Sequence, residues 1–582
     1  MRELRGTGAS SGIGIGPAVL FRRHAPAPAD GISADAVGRE TARLAAAVAR
    51  AREDLAETTK GMTSAVGREE AGVFEAQALM LDDPELIGRA ERLIQDARCS
   101  AERAIEDAGA RVAAQLESLP DEYLRARAAD VRDVAARVRA VLEGATHPLA
   151  EIASPSVIVA DELLPSDTAA LDRRKVLGFV TEVGSPTAHA AILARALGIP
   201  ACVGVPGATS AVLPGETLIV DGAQGVVLVA PDAATVAAWE EQRQVASERR
   251  AGLAALRDLP AETTDGHRIE VAANVGSLED VAEALRQGAE GVGLFRTEFL
   301  FMRRASPPGE DEQYETYRAA AATMAPRPVI VRTLDIGGDK SVPWLAIPRE
   351  DNPFLGLRGL RLCLRHEDVF LTQLRALLRA AAHGHVWVML PMVSDAGEVR
   401  EARRLIRDAR AQLARRGVSH GPVRLGIMIE IPSAAVLADT LFGEVEFFSV
   451  GTNDLVQYAL AVDRTNPQVA TLADALHPAV LRLIAAVTRA PGRGGRWVGV
   501  CGELAGDPLA APLLVGLGVS ELSMTPSSLP EVKAAVRAIA LVEARALVDR
   551  ALACGTAAEI RALLGARASA VRSQDASRDP RR

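Results

Sequence analysis

Apolar residues return along this chain in two rhythms, and the places where the rhythm changes divide it. From about Ala34 to Glu143 they recur every three or four positions among Ala, Arg, Glu and Leu. That is the spacing of helices that bury one face. Pro84 and Pro120 punctuate the stretch, which reads as a helical bundle over 34–143. Residues 148–230 carry short β-type runs instead: Val157–Ala160, Val176–Thr181, Ala201–Val205, Thr217–Val220 and Val226–Val229. Helical patterns lie between some of them. A further strand-forming segment, Gly12–Phe21, falls within residues 1–23. Segments 1–23 and 148–231 thus predict one α/β domain with the bundle inserted in it. Pro231 to about Leu256 reads as one long charged helix, so 232–261 is expected to be a linker.

The segment 262–565 is the most regular. Eight β-type runs recur there: Ile269–Ala273, Gly291–Phe295, Val329–Thr333, Val386–Leu390, Arg424–Ile429, Phe447–Val450, Trp497–Val500 and Glu521–Met524. Helical patterns such as Leu278–Arg286, Glu310–Met324 and Asp395–Arg416 separate nearly all of them. Alternating β and α units in this number predict a (β/α)8 barrel, with a doubly wound open sheet as the alternative. The expected fold class is multidomain α/β: an N-terminal α/β domain with its inserted bundle, then a C-terminal (β/α)8 barrel. Ser, Arg and Asp dominate after about Arg567, which predicts a disordered tail over 566–582.

Composition narrows the classes. A chain of 582 residues with 48% hydrophobic and 24% charged residues is a soluble globular balance too long for one core. A net charge of −9 argues against a nucleic-acid partner. The five cysteines are scattered and form no C-x-x-C, which suits a reducing, cytoplasmic setting without a disulfide or zinc framework. No apolar run is long enough for membrane insertion, and no signal-peptide pattern follows the first charges.

The candidate chemistry centres on His189. A Gly/Pro turn, Gly184-Ser185-Pro186, precedes it, and an apolar helix-periodic run follows. The imidazole is therefore expected at a helix start, where unpaired N–H groups and the dipole favour an anion and disfavour imidazolium. A neutral, nucleophilic ring beside a phosphate cradle suits a covalent phosphohistidine. A capping histidine is the structural alternative. In a barrel, active sites form at the C-terminal strand ends. Those ends carry Arg296, Arg332, Glu430, Asn453, Asp454 and Cys501, with Arg358 and Arg464 in the intervening loops. Two carboxylates, several arginines and an amide suit an anionic substrate with Mg2+, which takes one or two protein carboxylates plus substrate oxygens. Each residue alone is as well read as a rim salt bridge; the set is not. Cys501 is either inert core or a proton donor. Lys340, one of only four lysines, sits in the polar loop Asp335–Lys340.

The stretches Thr187–Pro200, Leu334–Lys340, Asn352–Arg358, Gly451–Tyr458 and Asp121–Arg132 resemble the signatures of the phosphoenolpyruvate-protein phosphotransferase family, enzyme I of the bacterial sugar phosphotransferase system. The similarity spans roughly residues 5–565. It implies that His189 is the phosphorylated nucleophile and that Thr168 orients its ring. It implies that Arg296, Arg332, Asn453 and Arg464 hold the phosphoryl and carboxylate groups of phosphoenolpyruvate, with Lys340 and Arg358 adding positive charge. Glu430 and Asp454 would bind Mg2+, and Cys501 would protonate the enolate. The resemblance also implies an HPr-like phosphocarrier docked on the bundle, a swivel near 232–256 and a homodimer. Ser185 and Ala188 depart from the family's Gly-Gly-x-Thr-Ser-His pattern before the nucleophile. Pyruvate phosphate dikinase and phosphoenolpyruvate synthase share the His domain and barrel, but need a nucleotide domain where this chain has an Ala-rich bundle without a Gly-rich phosphate loop. A catalytically silent scaffold is the non-enzymatic alternative.

Overall fold

The computed structural model describes all residues except 22–30, 67, 119–121, 145–148, 150–151, 173, 186–187, 303, 339–341, 346–349, 467, 491–493, 495 and 579–582; of His189 it describes the backbone. The chain divides into two compact units, Met1–Glu248 and Arg249–Arg582.

The first unit holds an eight-stranded mixed sheet and a set of helices. Three strands precede the helices: β1 (Arg2–Arg5), β2 (Thr7–Ser10) and β3 (Ile13–Phe21). Five follow: β4 (Ser156–Ala160), β5 (Val176–Thr181), β6 (Ala201–Val203), β7 (Thr217–Asp221) and β8 (Val226–Val229). Their order across the sheet is β1-β8-β7-β3-β4-β5-β6-β2. The run β3-β4-β5-β6 is parallel and the outer pairs are antiparallel. All five residues of β4 are buried, as a central parallel strand covered on both faces requires. Residues 1–23 thus supply three strands where the periodicity predicts one, because the short runs around Gly6 and Gly8 carry almost no apolar signal.

Between β3 and β4 run α1 (Val37–Val66), α2 (Arg68–Met80), α3 (Arg89–Asp96), α4 (Ala101–Glu117) and α5 (Glu122–Glu143). Their inner faces meet around Leu44, Leu55, Phe74, Ile94, Ile105 and Val134. Pro84 opens a single wide turn, Pro84–Gly88, that redirects the chain between α2 and α3. Two short elements position the sheet's chemistry: α6 (Pro165–Ala169) and α7 (His189–Leu197), which pack against each other. Gly198, left-handed at φ 68°, ends α7.

The second unit is a closed, all-parallel barrel of β9 (Glu270–Val275), β10 (Val292–Arg296), β11 (Val329–Arg332), β12 (Val386–Leu390), β13 (Arg424–Ile429), β14 (Phe447–Val450), β15 (Trp497–Val500) and β16 (Glu521–Met524). β16 pairs in parallel with β9, from Glu521↔Glu270 to Met524↔Ala273, which closes the ring and excludes the open sheet. Five of the eight strands have the bounds that their apolar runs predict. The helix Ala233–Ala255 falls where a charged linker helix is expected, and the division between the units lies within it. The last helix, Ala557–Arg578, enters the stretch whose polarity predicts disorder. The correction has a local cause: Ala and Arg are strong helix formers, so polarity alone did not forbid a helix there.

Candidate active site

A parallel barrel delivers every strand's C-terminal end to one rim. Arg296 ends β10, Arg332 ends β11, Glu430 follows β13, and Cys501 follows β15. Asn453 and Asp454 lie in the first turn of the helix Thr452–Leu460 that follows β14. The structure therefore brings these predicted rim residues together.

They form a buried charge network. Arg332 donates to Glu298 at 2.7 Å and pairs with Asp335 at 3.1 Å. Arg358, only 1% exposed, reaches Asp335 through Nε and Nη2 at 3.0–3.3 Å, and Asp454 at 3.0 Å and the Tyr458 hydroxyl at 3.3 Å through Nη1. Burial opposes the charge on both guanidiniums, but the surrounding carboxylates outweigh it and hold both ionised. Arg358 is thus committed to carboxylates, so it supplies charge from behind the rim. Arg296 and Arg464 are half-buried, and their guanidiniums make no hydrogen bond or ion pair among the described residues. Asn453 and Glu503 bond reciprocally, side-chain amide to carboxylate at 3.0 Å and backbone N–H to amide oxygen at 2.9 Å.

Glu430 is fully buried. One carboxylate oxygen accepts from the Met392 N–H at 2.6 Å; the other has no hydrogen-bond partner among the described residues. Met392 holds a left-handed backbone (φ 58°) just beyond β12, a conformation that turns its N–H toward this carboxylate. Burial first, then Asp454 and Asp335, push the Glu430 carboxyl up to about 8. A buried carboxylate with an open oxygen beside a second carboxylate is short of positive charge. Hard oxygen donors of this kind fit Mg2+. Among the described residues no group of three or more metal-ligating side chains forms a protein cage; a Mg2+ that shares one or two carboxylates with a substrate needs none.

Cys501 is buried. Burial pushes its thiol up to about 12, so the proton stays on sulfur at neutral pH. A protonated thiol at the rim is equipped to donate.

In the first unit, His189 opens α7, as the sequence predicts. The preceding residue, Ala188, provides no side-chain cap, and the first turn holds no acidic residue. A helix start without a capping side chain favours an anion. Thr168 is fully buried on α6, and its hydroxyl donates to the Leu164 carbonyl at 3.3 Å. Lys340 lies outside the described residues. Two members of the rim network, Glu298 and Tyr458, were not singled out from sequence; Asp335 was read as the residue into which strand β11 runs, without a role. Asp335 had a legible signal, being a carboxylate three residues past the inward Arg332. Glu298 and Tyr458 had none beyond proximity to a strand end.

No helix among the described residues is long and apolar enough to cross a membrane. Three family models match the chain: the N-terminal part of phosphoenolpyruvate-utilising enzymes over residues 5–127, their mobile domain over 152–225, and their phosphoenolpyruvate-binding domain over 250–541. The chain is 44% identical over 561 residues to the phosphoenolpyruvate-protein phosphotransferase of Geobacillus stearothermophilus, covering 96% of this chain and 97% of that one. It is 42% identical over 563 residues to that of Bacillus subtilis, covering 96% and 98%. It is 46% identical over 570 residues to a multiphosphoryl transfer protein of Xanthomonas campestris, covering 96% of this chain and 66% of that one. With nearly end-to-end similarity at this level, the chain belongs to the phosphoenolpyruvate-protein phosphotransferase family.

Proposed function

We propose that this enzyme moves the phosphoryl group of phosphoenolpyruvate to His189 and then to a histidine of an HPr-like carrier protein, releasing pyruvate. One observation carries the reading: a barrel rim with a fully buried, open carboxylate on Glu430, and with Arg296 at the end of β10 and Arg464 beyond the helix Thr452–Leu460 left without a guanidinium partner among the described residues. Such a rim is incomplete without a cation and a multiply charged anion.

Arg296, Arg332 and Arg464, with Asn453, bind and orient the phosphate and carboxylate of the substrate. Glu430 and Asp454 would hold Mg2+, which, when bound, neutralises phosphate charge and favours departure of the enolate oxygen. Lys340 and Arg358 add positive charge, Arg358 through its grip on Asp335 and Asp454. The neutral His189 ring, oriented by Thr168, attacks phosphorus as the bond to the enolate oxygen breaks. The Cys501 S–H breaks as a C–H bond forms on the methylene carbon, giving pyruvate.

His189 must then meet a second protein. The helical bundle is the docking surface for the carrier, and the helix Ala233–Ala255 is the hinge between loading and delivery. The carrier, a cytoplasmic location and a homodimer built on the barrel follow from kinship with the family. The test is pyruvate release from phosphoenolpyruvate with Mg2+ and a phosphocarrier but no nucleotide. Release that requires AMP together with phosphate or pyrophosphate would instead favour a dikinase-type reaction.

A further inference from the structure

Beneath Cys501 the barrel interior has two unlike halves. Leu294, Ile330, Met389 and Met428 fill one. Ser449, Glu521, Ser523 and Asn274 line the other, from β14, β16 and β9. Glu521 is 1% exposed, and neither of its oxygens has a hydrogen-bond partner among the described residues. Two glycines make room for it. A Cβ on Gly293 would stand 1.9 Å from one Glu521 oxygen, and a Cβ on Gly499 would stand 2.5 Å from the other. A carboxyl buried without a partner stays neutral. Burial, and after it the neighbouring Glu270, hold its pKa well above the usual carboxyl range.

A hydrogen-bonded chain runs beside this acid, from Ser523 up to the backbone of Cys501. The Ser523 hydroxyl lies 2.5 Å from that same Gly293 point, so it shares a small space with the Glu521 carboxyl. It donates to the Asn274 side-chain oxygen at 2.6 Å, and the Asn274 amide donates to the Cys501 carbonyl at 2.8 Å. Gly499 and Cys501 are two residues apart on β15, so the carboxyl sits one layer below the thiol, about 7 Å along the strand. Ser449 adjoins the thiol. The charged groups that bear on the thiol are Arg332 from β11, Glu430 beyond β13 and Glu521 from β16; Glu270 on β9 bears on Glu521.

We propose that Glu521 is a positioning residue that returns a proton to Cys501 from inside the barrel, restoring the thiol while product still covers the rim. The proposal rests on the reading of Cys501 as the proton donor. When the enolate carbon has taken the thiol proton, the Glu521 O–H bond breaks and an S–H bond re-forms; the Ser523 hydroxyl turns away from Asn274, and the Ser449 hydroxyl, without a partner among the described residues, rotates to pass the proton on. The carboxylate left behind regains its proton from solvent at Glu270, its exposed register partner. No oxidant or second reactant is needed.

The test uses the full-length protein with Mg2+, phosphoenolpyruvate and pyruvate that is carbon-labelled and methyl-deuterated. Carbon label entering phosphoenolpyruvate counts turnovers, and deuterium lost to solvent counts proton renewal at Cys501. Wild type should lose deuterium with each carbon exchange. Glu521→Gln should slow carbon exchange and raise several-fold the deuterium retained per carbon exchanged, a ratio that simple misfolding does not move. Ser523→Ala should shift the ratio the same way, and serves if the Gln variant fails to fold. A wild-type ratio in the folded variant overturns the proposal. Cys501→Ala separates the premise: if it exchanges and washes out as wild type does, the thiol is not the donor.

Discussion

Arg358 shows how single residues at this site carry both stability and chemistry. Its guanidinium is buried against Asp335 and Asp454, so removing it leaves Asp454 without its partner and Asp335 with Arg332 alone. Breaking a buried pair from one side costs about 3–5 kcal/mol, and Arg358→Met should lower barrel stability by that order in denaturant titration. Asp454→Asn keeps shape and hydrogen-bonding capacity but loses the charge a cation needs. It should leave a folded protein that no longer takes label from phosphoenolpyruvate; unchanged labelling would remove Asp454 from the site. Cys501, buried and with its thiol pushed up to about 12, should resist iodoacetamide at neutral pH while partly exposed Cys99 and Cys554 are modified, as read by mass spectrometry. Rapid alkylation of Cys501 would contradict its burial.

Secondary elements decided which of these residues meet. Arg296, Arg332 and Glu430 were legible from sequence because each lies at the end of a short apolar run, and a parallel barrel collects run ends on one face. Side-chain partnerships were not legible. Nothing in the sequence couples Glu298 to Arg332, or Glu503 to Asn453, since neither pair is set by helical or strand spacing. The same holds outside the site. Glu310, on the helix Glu310–Met324, binds Arg375, Arg379 and Arg416 and staples three helical segments around the barrel. Burial raises its carboxyl, but the three arginines outweigh this and hold it down at about 2 against an ordinary 4.5. Its contribution is therefore fully present above pH 4.5 and is lost as the pH falls toward 2. Wild type should lose more thermal stability over that window than Glu310→Gln, by differential scanning calorimetry. Equal losses would mean the cluster is solvent-screened.

At the scale of the whole molecule, the chain holds a histidine helix in one compact unit and a rim of buried carboxylates and arginines in the other. The division falls inside the charged helix Ala233–Ala255, whose first turns still rest on the first unit through Val236 and Trp239 and none of whose residues is fully buried. The C-terminal helix was hidden by its polarity, and the strands before Gly12 by their brevity. The proposed function requires the two units to exchange one phosphoryl group. The most direct measurement is incubation of wild type and His189→Ala with Mg2+ and phosphoenolpyruvate labelled on phosphorus. The account predicts acid-labile, alkali-stable label on wild type and none on the variant; equal labelling of both would contradict it.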